Sequence, residues 1–113
     1  MYDISVAILM HFNRDWAGKN EDFIVQVSCM DKTSYVKVHR DENDIATQNI
    51  ITFGQYTDGS LYTFCQKRQS YQALSTLGKL TEFDGRVPHY VSPITEGKRF
   101  LVTFFKSYDR MIL

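Results

Sequence analysis

A chain of 113 residues that is 43% hydrophobic and 14% aromatic carries enough apolar material for one compact core, which excludes a disordered segment and sets the expectation of a single domain over residues 1–113. Thirteen basic residues balance thirteen acidic ones. That balance excludes tight non-specific binding to a nucleic-acid backbone but leaves room for a local basic patch.

In chain order, the run in "MYDISVAILMHF" follows an acid and lacks both a basic start and a small-residue cleavage site. It is a poor signal peptide, and at about seven apolar residues it is too short to span a membrane. A strand over residues 4–12 is the expectation. In "HFNRDW", His11 and Asp15 stand four apart, but the segment reads as a strand leaving into a loop rather than a second ligand set. Trp16 reads as cover for a barrel end rather than a substrate stack. Further β-segments are expected over residues 22–30, 34–39, 49–53, 60–67, 74–83 with a break at Gly78, 89–92 and 99–106. All are rich in Val, Ile, Tyr, Phe and Thr. "VQVSCM" and "YVKVHR" alternate apolar with polar, the period of a sheet with one face inward.

"DKTS", Asp58-Gly59, Asp84-Gly85 and "PITEGK" supply turn signals, with Asp58-Gly59 read as a tight hairpin. Residues 69–77 form the one plausible helix. Lys67-Arg68 and "KSYDR" at 106–110 read as solvated strand ends rather than a phosphate track. Cys29 and Cys65 form no CxxC and lie in hydrophobic segments, so both read as buried free thiols in a reducing, intracellular setting. Short strands with regular turns predict an all-β closed barrel or jelly roll with at most one short helix.

On a strand, the spacing of His39 and Asp41 puts both side chains on one face. His89 begins a later strand, which a barrel can close beside the earlier one. Val91 would share its inward face, leaving Tyr90 to pack outside. Two imidazoles and a carboxylate form the facial triad of non-haem Fe(II) oxygenases. Arg99, ten residues beyond His89, could hold a carboxylate bidentately. Alone, each of these residues is more often structural; the set in one order on one β-pattern is specific.

Two blocks carry a family resemblance. "HRDENDIATQNIITFGQYTDGSLYTF" matches an H-x-D followed by G-x-Y-T-G-G-x-L, and "FDGRVPHYVSPITEGKRFLVTFF" matches F-D-G-x-x-P-H…P…G-x-R-[YF]…F. Together they span residues 39–105, and they resemble the Fe(II)/2-oxoglutarate-dependent dioxygenases. Within these the match is to the branch of the TET methylcytosine dioxygenases and the base-J thymine hydroxylases, with their viral and protist relatives. The resemblance implies a double-stranded β-helix. It implies that His39, Asp41 and His89 bind Fe(II) and that Arg99 pairs with the distal carboxylate of 2-oxoglutarate. With O2, such a centre hydroxylates a C–H bond and releases succinate and CO2. The substrate it implies is the 5-methyl of a pyrimidine in nucleic acid, with Asn43 and Asp44 near the base.

Asp58 stands where the family has Gly, and the Ser usual two residues after the arginine is replaced by Leu101. The second contact to the cosubstrate then falls to Tyr35, Asn49 or Thr103. Family domains also carry N-terminal helices and longer loops, whereas only one β-segment and a loop are expected before residue 22. Two alternatives stay open. One is the same chemistry on a free nucleotide, small molecule or protein side chain; the other is a non-catalytic cupin-like module holding Zn or no metal. No membrane association is expected. A homodimer, or a partner protein supplying substrate-binding surface, suits so small a barrel.

Overall fold

The computed structural model describes residues 9, 13–20 and 22–107. In chain order the elements are α1 (Arg14–Lys19), β1 (Ile24–Met30), β2 (Val36–His39), β3 (Gln48–Phe53), β4 (Tyr56–Asp58), β5 (Leu61–Cys65), β6 (Ser70–Leu74), β7 (Thr81–Phe83), β8 (His89–Val91), β9 (Ile94–Gly97) and β10 (Arg99–Phe105). Two four-stranded sheets run β1-β10-β3-β7 and β2-β8-β5-β6, and β4 pairs with β9 in a two-stranded ribbon. Every ladder is antiparallel. The fold is a double-stranded β-helix, as expected.

Only β5 and β6 pair as sequence neighbours. The other turn signals are corners at which the chain changes sheet. Asp58 and Gly59, at φ 63° and 75°, do not close a hairpin. They carry the chain from β4, paired with β9, into β5, paired with β6 and β8. "PITEGK", read as a turn, is mostly β9, and Gly97 (φ 83°) lies so close to the Gln55 carbonyl that a Cβ would collide with it.

Parity along the central strands builds two cores. Ile50 of β3 and Leu101 of β10 face Leu61 and Val91 of the second sheet, with Met30, Phe83 and Ile94 filling the interior. On the opposite side of β3 and β10, Ile51, Val102 and Phe104 receive Trp16 and Ala17 of α1. The β10 strand is largely buried on both faces, apart from the exposed Phe100.

Helix α1 replaces the expected strand-to-loop exit at 13–16. With six residues it is too short to show a 3.6-residue stripe, and tertiary packing holds it. Its start is marked by Asn13, whose side chain caps the Trp16 N–H, and by Asp15 in the first turn. Trp16 packs against Phe23, and its indole N–H donates to the Thr47 carbonyl at 2.8 Å. It is a core residue, as the packing reading of Trp16 requires. Of the strand expected over 4–12, only Leu9 is described, and it is helical; His11 and residues 108–110 lie outside the described residues.

The helix expected at 69–77 is instead β6, which pairs residue for residue with β5 from Leu61↔Leu74 to Cys65↔Ser70. Ladder bonds and the apolar face of the hairpin override the helix preference of Gln, Ala and Leu. The strand expected over 74–83 is split, because the chain leaves one sheet after Leu74 and joins the other at Thr81. Lys67 and Arg68 are exposed in the β5–β6 turn, as expected of solvated strand ends. Both cysteines are free, but Cys29 is exposed and Cys65 half-buried, so the expectation of burial is corrected. Cys29 sits on β1, the edge of its sheet, where the middle of the strand faces solvent.

Candidate metal centre

His39 and His89, fifty residues apart in sequence, are direct partners in the β2–β8 ladder. Val36 pairs with Val91, so three residues on β2 span what two span on β8. That one-residue bulge gives Val36 and His39 the same inward sense, where a regular strand would oppose them. Asp41 lies past the end of β2, and the backbone rather than strand parity places it. Its N–H donates to the Gly85 carbonyl at 2.8 Å, and its carbonyl accepts from the Asp44 N–H at 3.1 Å.

The three side chains converge. Asp41 Oδ2 is 3.2 Å from His89 Nε2, and Asp41 Oδ1 is 3.5 Å from His39 Nε2. One ligand atom from each lies within 4.8 Å of the others. Adjacent ligands on one face of a metal with bonds near 2.1 Å stand about 3 Å apart, and the two Asp41–histidine approaches lie near that spacing. Each imidazole Nδ1 sits 2.8 Å from a carbonyl two residues back, Lys37 for His39 and Val87 for His89. A carbonyl cannot donate, so Nδ1 carries a proton and Nε2 is the nitrogen that faces the centre, the one that would ligate a metal.

The electrostatics follow from this clustering. Burial works against the Asp41 carboxylate, but hydrogen bonds from His89 and Gln48 and the two imidazoles outweigh it and hold its pKa below the usual value. Burial likewise disfavours charging His89, yet the bond to Asp41, the Val87 carbonyl and the charges of Asp41 and Asp44 raise its pKa. Burial raises Asp44, partly offset by the Gln48 amide.

A cavity of about 440 Å³ opens at the triad. Its wall includes Gln26, Ser28 and Thr103 from the first sheet and Leu61 and Val91 from the second, with Asn43 also lining it. Asp44 lines it too but is buried, accepting from the Gln48 amide at 2.7 Å. Phe83 packs edge-on against His89, while Tyr90 stacks on Tyr62 outside, at 4.8 Å between centroids.

Arg99 faces inward on β10 and is fully buried. It does not line the cavity. It contacts Met30 Sδ at 3.6 Å and Thr76 Oγ1 at 3.5 Å and lies over the Tyr56 ring, and Met30 packs in the same cluster as the cavity residues Ile50, Leu61 and Val91. No carboxylate among the described residues pairs with it, and its Nε has no hydrogen-bond partner. Burial lowers its pKa. A buried guanidinium without a counter-ion is costly unless an anion covers it, so the arrangement fits a carboxylate-bearing ligand.

Of the expected second contacts, Thr103 lines the cavity on the face of β10 that carries Arg99. Asn49 is corrected: it lies on the other face of β3, accepting from Asn13 at 2.8 Å beneath α1. Tyr35 is corrected as well, being 58% exposed beside Tyr90 and Pro93 on the outer side. The polar groups that do surround Arg99 are Tyr56, Thr76 and Thr52. Thr52 Oγ1 lies 3.0 Å from both the Tyr56 hydroxyl and Thr76 Oγ1. Tyr56 was visible in the G-x-Y motif, and Thr52 shares the inward parity of Ile50. Nothing in the sequence marked Thr76 or Gln48.

No protein-family model and no curated protein matches the chain by sequence. Solved structures do. One is NgTET1 in complex with 5mC DNA, with a TM-score of 0.61 and 19% identity over 74% of this chain and 33% of that one. Another is a Pseudomonas putida prolyl-4-hydroxylase, with a TM-score of 0.63 and 19% identity over 78% of this chain and 53% of that one. The chain thus spans about a third of the first and about half of the second. The likeness establishes a shared fold, a double-stranded β-helix. Among the described residues, no helix is long and apolar enough to cross a membrane.

Proposed function

We propose that this chain is an Fe(II)- and 2-oxoglutarate-dependent dioxygenase. The observation that carries the reading is the pairing of two features inside one β-helix. On one sheet, two imidazoles with Nε2 aimed inward meet a carboxylate; on the facing sheet, a buried guanidinium lacks a counter-ion among the described residues. His39, Asp41 and His89 would hold the iron. Arg99, with Tyr56 and Thr76 beside it, would hold the distal carboxylate of 2-oxoglutarate. Bound together with O2, these groups supply the oxidising chemistry that hydroxylates a C–H carbon and releases succinate and CO2.

The chain's own residues orient and enclose. The Lys37 and Val87 carbonyls hold the Nδ1–H of each histidine, so that Nε2 is the nitrogen aimed inward. Asp41 contributes one charge, so the protein fills one face and leaves the rest to ligands. Ile50, Leu61, Val91 and Phe83 dry the wall beneath the triad.

For substrate, the reading is a 5-methylpyrimidine base in nucleic acid, supported by the sequence blocks and by a structural neighbour bound to 5mC DNA. Asn43 at the cavity would face the base. The residues described as lining the cavity include no Lys or Arg, so phosphates would be held outside it and only the extruded base would enter. The same lining suits the second reading, an uncharged small molecule or a protein side chain. An intracellular setting fits the two free thiols.

The test is succinate formation after O2 is added to protein loaded anaerobically with Fe(II) and 2-oxoglutarate, with His89→Ala alongside. Iron-dependent succinate that disappears in the variant supports the reading, and methylated or thymine-containing oligonucleotides then decide the substrate. A folded, metal-loaded protein that binds no 2-oxoglutarate overturns it in favour of a binding module.

A further inference from the structure

One buried polar group at the centre is not a ligand candidate and has no part in the reading above. Gln48, at the start of β3, is 7% exposed. Its amide nitrogen lies 2.7 Å from Asp41 Oδ2 and 2.7 Å from Asp44 Oδ2. An amide NH2 has two protons and here meets two carboxylate acceptors. Turning the amide over would set its oxygen against both, so the two acids fix which way it points.

The surroundings are built for this contact. Gly85 is buried against it: a Cβ there would lie 2.5 Å from Gln48 Nε2, 2.7 Å from Asp44 Oδ2 and 3.1 Å from Asp41 Oδ2. The Gly85 carbonyl also holds the Asp41 N–H. Asp44 is anchored in turn by its bridge to Ser107 and its N–H bond to the Asp41 carbonyl. Backbone and amide therefore fix the Asp41 carboxylate from two sides.

We propose that Gln48 is a positioning residue for the metal centre, an amide clamp that occupies Asp41 Oδ2 so that the carboxylate offers a metal a single oxygen, with Asp44 and Gly85 holding the clamp in place. The proposal rests on the metal-centre reading given above. Oδ2 carries the short bond from Gln48 as well as the 3.2 Å approach of His89, whereas Oδ1 has only the 3.5 Å approach of His39. With one oxygen held by the clamp, the acid takes one coordination position and the others stay open for ligands. Groups that orient a metal ligand in this way are typically worth about 10- to 100-fold in metal affinity.

The test is anaerobic titration of the full chain with Co(II), reading the dissociation constant and the visible absorption bands, which report coordination number. The variants are Gln48→Met, which removes the donor at similar volume, and Gly85→Ala. The latter keeps Gln48 and both acids, and its added methyl would press first on the Gln48 amide and Asp44. Both are expected to bind Co(II) about 10- to 100-fold more weakly, with the same change in band position and intensity. Affinity and bands within twofold of the parent in both variants overturn the clamp while leaving the metal centre standing. If Gln48→Met does not fold, Gly85→Ala decides alone. A parent protein that binds no Co(II) overturns the metal-centre reading and the clamp with it.

Discussion

His89 must lose a proton from Nε2 before it can ligate a metal, and its surroundings resist that loss. Its pKa is raised above the usual 6.5, mainly by Asp41 acting against burial. In the metal-free protein, the charged His89–Asp41 contact stabilises the fold at low pH. That contribution is lost as pH rises through the raised value. Metal binding has the opposite preference. Co(II) affinity is therefore expected to fall by about tenfold per pH unit once pH drops below the raised pKa, and to level off above it. Titrations between about pH 8 and about pH 5.5 check the slope; a flat profile through that range would mean His89 does not ligate. The buried Arg99 supports a second prediction. Its uncovered charge opposes folding of the ligand-free protein, so Arg99→Met is expected to raise the thermal midpoint of that protein. The same change should weaken 2-oxoglutarate binding by about 100-fold or more, as loss of a bidentate charge partner does. Thermal melts and equilibrium binding measure the two arms, and a lowered midpoint with unchanged binding would make Arg99 purely structural.

Among the elements, strands with alternating or fully apolar patterns were legible in the sequence. β1, β2, β3, β5, β8 and β10 lie within two residues of their expected bounds. The three-residue β4 and the short β9 were hidden because turn residues occupy them: Asp58 and Gly97 carry positive φ at their ends. β6 was obscured by Gln, Ala and Leu, whose local preference is helical and loses to the hairpin with β5. Helix α1 has too few residues to show periodicity. Its contribution is nonetheless large, because Trp16 closes the second core against Ile51, Val102 and Phe104. Trp16→Ala is expected to destabilise the protein by roughly 3–5 kcal/mol, measured by urea unfolding. Metal affinity of the folded fraction should hold, since α1 covers the face of the first sheet opposite the cavity.

At the scale of the whole molecule, the site belongs to neither half alone. His39 and His89 stand on the sheet β2-β8-β5-β6, with Asp41 beside them, while Arg99 stands on β1-β10-β3-β7. The order and types of these four residues could be read from the chain because side-chain chemistry is local. Their meeting could not be derived from local pattern, because all but one of the strand pairings join segments that are not sequence neighbours, and the bulge that turns His39 inward is set by β8. This division makes a thermodynamic prediction. A metal engages one sheet; a cosubstrate held by both the metal and Arg99 engages the two together. Mn(II) alone should raise the midpoint modestly and 2-oxoglutarate alone hardly at all. With the metal already bound, 2-oxoglutarate at about 100 times its dissociation constant should add roughly 2.7 kcal/mol, a further rise of about 10 °C for a chain of this size. In Arg99→Met the metal increment should remain and the further 2-oxoglutarate increment should vanish. Melting curves under the four ligand conditions, for parent and variant, separate the outcomes. Simple additivity of the two ligands in the parent would mean that they bind independently, with no cosubstrate bridging the metal and the guanidinium across the barrel.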